Sequence, residues 1–186
     1  MLIGVGVSAG AAAVITFIIV ATDPWNSALA LTWLSGSTYG RTLPQVVPVL
    51  LALVVLTPPV VLARRDLDLM SLGEDIPRVL GVRLGRTRLL ALGAAAVLTS
   101  TAVSAIGVVG FVGLVAPHMA RALVGGHHTR VIPVAALLGA LLVSLADTVG
   151  RSVIAPAQMP AGLLTALIGA PYFVWLLWRS RSPARG

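Results

Sequence analysis

The strongest constraint on this chain is the length of its uncharged stretches. Residues 2–22, 42–63 and 89–120 contain no Asp, Glu, Lys or Arg, and residues 131–146 and 161–178 are uncharged as well. A helix needs roughly 20 apolar residues to cross about 30 Å of hydrocarbon. Water-facing surface would have to come from what remains, and only 10% of residues are charged while 58% are hydrophobic. A soluble domain usually carries about a quarter charged residues. The expected fold is therefore all-α, with its helices packed in a bilayer.

Each run can be measured against one crossing. Residues 2–22 fit one span, ended by Asp23-Pro24. Residues 24–40 are mixed and carry Trp25, Trp33 and Tyr39, which favour the membrane interface, so a short surface helix is expected there. Residues 42–63 form a second span; Pro44 suits its first turn, while Pro48, Pro58 and Pro59 should kink or shorten it. The 89–120 run is long for one crossing and short for two. Two spans fit if they borrow from about 86 to 126 and turn near Gly107, Gly110 and Gly113. One of them is then irregular, which protein or a water-filled cavity must cover. Residues 131–149 and 161–178 complete six spans.

The basic residues test that count. All 13 are Arg, with no Lys, and the net charge is +7. They sit between apolar runs and form no single basic face, which argues against nucleic acid. With six spans, the 64–88 segment, the 121–130 turn and the tail share one side and hold eleven arginines; Arg41 and Arg151 stand opposite. That asymmetry places the arginine-rich side, and both termini, in the cytoplasm. Without Lys the chain cannot form a standard P-loop, so ATP hydrolysis must belong to another polypeptide. Without Cys there are no disulfides or thiolate metal sites. The first residues lack a basic n-region and a clear cleavage site, so no cleaved signal peptide is expected.

The 64–88 segment is the long polar element, with six arginines and the acids Asp66, Asp68, Glu74 and Asp75. Ser71 and Glu74 have capping-box spacing, and Ile76, Val79 and Leu80 form an apolar stripe. One or two short helices outside the bilayer are expected, serving either as an anchor on anionic lipid or as a dock for a soluble partner. Mixed charge beside an apolar stripe favours docking. Gly6-Val7-Ser8-Ala9-Gly10 fits a GxSxG pattern, but inside an apolar span small residues serve close helix packing. His118 could transfer protons or bind metal; with no partner cluster around it, a structural role is expected. His127 and His128 fall in a short turn, where solvation is expected. Asp147 and Arg151 have favourable acid-to-base helical spacing.

Three runs carry a family resemblance. SLGEDIPRVLGVRLGRTRLL (71–90) resembles the coupling segment of FecCD-type ABC importer permeases. GVVGFVGLVAPHMARALVGGHHTRVIP (107–133) and LADTVGRSVIAPAQMPAGLLTALIGAPYFVWLLWR (145–179) resemble that family's Gly-rich region and C-terminal signature. Residues 1–70 match more loosely. The resemblance implies that 1–186 is a single permease domain equivalent to the last six of ten spans, in a bacterial cell membrane. It also implies a periplasmic loop at 150–160 and a cytoplasmic tail at 180–186.

The implied partners are two cytoplasmic ATPase chains, an extracytoplasmic binding protein, a second permease subunit (identical or not) and membrane lipid. ATPase contact would fall on Gly73, Glu74, Asp75, Arg78, Leu80 and Gly81, and binding-protein docking on Arg151. Gly6, Ser8 and Gly10 would line the translocation path. Gly110, Phe111, Gly113, Pro117, His118, Arg121, Pro160, Gly162, Gly169 and Pro171 would be structural motif positions. No catalysis, cofactor or bound metal is implied for the chain itself. Iron-siderophore import is expected, with haem and cobalamin as alternative substrates. Pro77 stands where relatives resemble Ala, and Gln158 where they often carry Glu. Two other readings are a non-transporting fragment or split half needing an N-terminal partner, and an intramembrane hydrolase pairing Ser8 with His118.

The six-span count makes a direct prediction. A reporter fused after Gly186 should be active only in the cytoplasm; periplasmic activity would remove a span from the account.

Overall fold

A computed structural model describes residues 2–71, 73, 84–153 and 159–181, and among them every regular element is a helix. In chain order these are α1 (Leu2–Val20), α2 (Pro24–Leu34), α3 (Leu43–Leu62), α4 (Arg64–Met70), α5 (Leu84–Ile106), α6 (Val112–Val124), α7 (His128–Ser152) and α8 (Ala161–Arg181). α7 is central: α6 and α8 pack against it, and α4 reaches it from the side, while α3 pairs with α5. α1 packs chiefly beside α2.

α3, α5 and α7 are each long and apolar enough to cross a membrane, and α1, α6 and α8 supply shorter apolar helices. Six apolar helices of unequal length are thus present among the described residues, three of them long enough for a full crossing. α6 has 13 residues, about 20 Å, and starts after an irregular stretch. The outer faces are bare hydrocarbon: Phe17, Leu43, Leu62, Leu137 and Leu167 are all exposed on the chain. The core is built from small side chains, among them Ala94, Ala105, Ala116, Ala120, Ala146 and Ala161. Lipid removes the hydrophobic reward for burying large residues, so small ones that let backbones approach are the ones buried.

α3 decides half of one expectation. It runs unbroken from Leu43 to Leu62 with Pro48, Pro58 and Pro59 inside it, so the prolines do not shorten it. A carbonyl freed by proline must be satisfied again within the protein, and membrane helices tolerate proline because neighbouring helices, hydroxyl side chains or local adjustment of the backbone can do so. Its start is fixed by Gln45, whose Oε1 accepts the Thr42 N–H at 2.6 Å. The 150–160 loop also begins later than its expected boundary. Gly150, Arg151 and Ser152 belong to the last turn of α7.

The helices are tied at two ends. At the first, here called the Gly36 junction, the 35–39 segment meets the break between α5 and α6 and the start of α8. Ser37 N–H donates to the Ile106 carbonyl at 2.8 Å, and Gly162 N–H to the Gly36 carbonyl at 3.0 Å. Gly107 takes φ +79, and a Cβ there would strike the Trp33 carbonyl oxygen. A Cβ on Gly162 would strike the carbonyls of Ser35 and Val108. The break predicted from the glycines is thus real, and backbone from the 33–36 and 162 regions packs closely over it. At the second end, the Asp68 junction, α4 meets the starts of α5 and α7.

Gly107→Ala should therefore destabilise the protein by about 1–3 kcal/mol, from left-handed strain plus collision. Gly93, in mid-α5 with nothing near its missing Cβ, should accept Ala with a gain of up to about 1 kcal/mol. Thermal unfolding of the two variants in detergent checks the contrast.

Candidate functional site

Among the described residues, the side-chain ion pairs of this apolar bundle stand at the two junctions. At the Gly36 junction the end of α7 presents Asp147 and Arg151 on one face, four residues apart. Arg151 Nε donates to Asp147 Oδ2 at 2.8 Å. Arg151 Nη2 donates to Thr38 Oγ1 at 3.0 Å, and the Thr38 hydroxyl in turn donates to Asp147 Oδ1. The Arg151 guanidinium also lies over the Tyr39 ring, 5.8 Å from its centroid. Arg151 keeps 43% of its side chain exposed and Asp147 24%. Arg41, the other arginine at this end, donates from Nε to the Ser37 carbonyl at 3.2 Å. The 37–41 segment therefore organises both arginines.

At the Asp68 junction one carboxylate closes two elements. Asp68 Oδ1 accepts the backbone N–H of His128 at 2.8 Å and sits 2.5 Å from His128 Nδ1. The carboxylate thus satisfies an orphan donor in the first turn of α7, where the helix dipole also favours negative charge. The His128 backbone hydrogen bond, helped by the ring contact, holds the Asp68 carboxyl below the usual carboxylate range. On the same short helix, Asp66 Oδ2 accepts the hydroxyl of Thr87, a buried residue in the first turn of α5, at 3.4 Å. α4 is fastened to the starts of α5 and α7. His128 is therefore not simply solvated in a turn, as its position suggests; it heads α7 and is half-buried against Asp68, whereas His127 is exposed.

The other expected residues fall as follows. Ser71 closes α4, its hydroxyl donating to the Asp68 carbonyl at 2.6 Å. Gly73 has φ +109 and open space where a Cβ would stand. Glu74, Asp75, Arg78, Leu80 and Gly81, with Pro77 and Gln158, lie outside the described residues. Gly6, Ser8 and Gly10 are exposed along α1, with nothing near the missing Cβ of either glycine. Ser8 donates to the Val5 carbonyl at 2.9 Å, and the His118 ring lies edge-on to Tyr172 at 6.2 Å. Each half of the suggested Ser8–His118 pair is engaged elsewhere, and His118 packs α6 against α8.

The motif positions lie at helix starts, ends and contacts. Gly110 precedes Phe111, which takes left-handed φ 65 at the head of α6. Gly169 of α8 leaves room for the Phe111 ring. Gly113 and Pro117 lie within α6, and the carbonyl of Arg121 accepts the Gly125 N–H that ends it. The Pro160 carbonyl accepts the Leu163 N–H at the start of α8, and Pro171 lies within that helix.

A bundle of apolar helices bound at its two ends by polar clusters is the architecture of a multi-pass membrane protein. A solved structure, described as an inward-facing conformation of a metal-chelate type ABC transporter, superposes on 96% of this chain and 58% of its own with TM-score 0.88 at 31% identity. The model of the FecCD transport family matches residues 1–179, and the chain belongs to that family. The Fe(3+) dicitrate transport system permease protein FecD of Escherichia coli (strain K12) is 45% identical over 97% of this chain and 56% of its own length. A probable siderophore transport system permease protein, YfhA of Bacillus subtilis (strain 168), is 41% identical over 98% of this chain and 53% of its own. The chain spans about half the length of the curated relatives it matches.

The Asp68 contact has a pH signature. Because folding lowers the Asp68 pKa, its contribution is complete at neutral pH and is lost as pH falls through that lowered value, below about 4. The unfolding temperature should drop more between pH 5 and pH 3 in the native protein than in Asp68→Asn. An equal drop in both would remove the contact's role.

Proposed function

We propose that this chain is a permease subunit of a binding-protein-dependent ABC importer for ferric siderophores. The observation that carries the reading is identity above 40% over nearly the whole chain to permeases named for dicitrate and siderophore transport. The arginine asymmetry supports the orientation. Arg64, Arg65, Arg86, Arg88, Arg121 and Arg130 stand at the Asp68 junction and Arg41 and Arg151 at the other. The Asp68 end and the C-terminus then face the cytoplasm.

In this reading two ATPase chains grip the segment after α4 through Gly73, Glu74, Asp75, Arg78, Leu80 and Gly81. The binding protein docks at the opposite face on Arg151. Gly6, Ser8 and Gly10, on a helix left bare by the rest of the chain, line the path beside a second permease subunit. ATP binding and release alternate the cleft between outward- and inward-open states. The chain binds no cofactor or metal of its own and does no chemistry.

The test is co-purification and uptake. Glu74→Ala with Arg78→Ala should reduce the ATPase recovered with the permease by about tenfold, as truncated charge pairs do at interfaces. Cells relying on this importer should take up radiolabelled ferric siderophore in preference to haem or cobalamin. Undiminished ATPase recovery would overturn the coupling assignment, and preference for haem or cobalamin would overturn the substrate.

A further inference from the structure

The Gly36 junction holds a polar circuit that joins side chains from distant parts of the chain. Three groups from two distant parts of the chain close it: Thr38 from the segment after α2, and Asp147 and Arg151 from the end of α7. Each atom has a defined part. The Thr38 oxygen accepts from the guanidinium while its hydrogen goes to the carboxylate. Asp147 uses one oxygen for Thr38 and the other for Arg151. The Tyr39 ring supplies a face on which a guanidinium is held by cation–π attraction.

An arginine on a helix end is normally free to sample many rotamers. Here Nε and Nη2 are engaged, the guanidinium lies over a tyrosine ring, and the side chain still reaches water. A guanidinium presents five donors in a rigid fork that matches a carboxylate. A fork already fixed in orientation avoids the entropy loss that a mobile one suffers on binding.

We propose that Thr38 and Tyr39 are positioning residues that hold the Arg151 guanidinium ready for an acidic side chain of the docking partner. The inference rests on the proposed role of Arg151. It assigns to the 38–39 segment a task in recognition beyond tying that segment to α7. Asp147 has a double part: it orients Arg151 and tempers its charge, so a partner carboxylate shares the guanidinium with it.

The test measures binding of the importer's own substrate-free binding protein to the assembled importer in lipid nanodiscs. Arg151→Ala sets the scale. Thr38→Ala should weaken binding about three- to tenfold, the scale of freeing one long side chain. Thr38→Ser, which keeps the hydroxyl, should restore it, and Thr38→Ala should add nothing to Arg151→Ala. Tyr39→Leu should weaken binding in the same direction with the hydrogen-bonded circuit left whole. This gives a second reading if Thr38→Ala lowers the unfolding temperature. Full affinity in both Thr38→Ala and Tyr39→Leu, with Arg151→Ala still damaging, would overturn the positioning role alone. So would a Thr38→Ala loss that persists on the Arg151→Ala background. Full affinity in Arg151→Ala would overturn the docking assignment itself, and the positioning role with it.

Discussion

Everything in this bundle depends on one rule of the bilayer: a backbone donor or acceptor at membrane depth must find its partner within the protein. Helices obey it automatically. The 107–111 stretch between α5 and α6 is not helical, and close backbone contacts gather around it. Gly36, Gly107 and Gly162 let three backbone segments approach to distances at which any side chain would collide with a carbonyl. The 35–39 segment supplies hydrogen bonds to the end of α5 and the start of α8. Because that segment is pinned, Thr38 and Tyr39 are pinned too, and the arginine at the end of α7 has something rigid to lean on.

α7 connects this end to the other. Its 25 residues extend about 37 Å, enough to cross the hydrocarbon with both termini at the interfaces. Its first turn is held by Asp68 on α4, and its last by Thr38 from the segment after α2. In the proposed importer, α4 leads directly into the segment gripped by the ATPases, and Arg151 faces the binding protein. A stiff helix fixed at both ends is a physical means for events on one face to be felt on the other.

Much of this was legible in the sequence, and particular residues show why. The uncharged runs located the crossings because lipid penalises charge along a whole helix. Trp25 and Trp33 marked α2, and Gly107 marked the break, since each signal is local. Asp147 and Arg151 were legible as a pair because they share a helix face. The contacts that matter most to the site were not legible. Asp68 lies 60 residues from His128, and Thr38 lies 109 from Asp147; no periodicity links such partners. The prolines of α3 did not shorten it, because in a packed membrane bundle neighbouring groups of the protein can satisfy the carbonyls that proline frees.

The central claim is that the two junctions lie on opposite faces of the membrane, with the Arg151 end outside. The chain contains no cysteine, so single cysteines can report this without background. Ser152→Cys and His127→Cys place exposed thiols beside the Gly36 and Asp68 junctions. A membrane-impermeant maleimide added to intact cells with a permeable outer layer should label the first, and should label the second only after the inner membrane is opened. Labelling of both from the same side, or of His127→Cys alone in intact cells, would contradict the account.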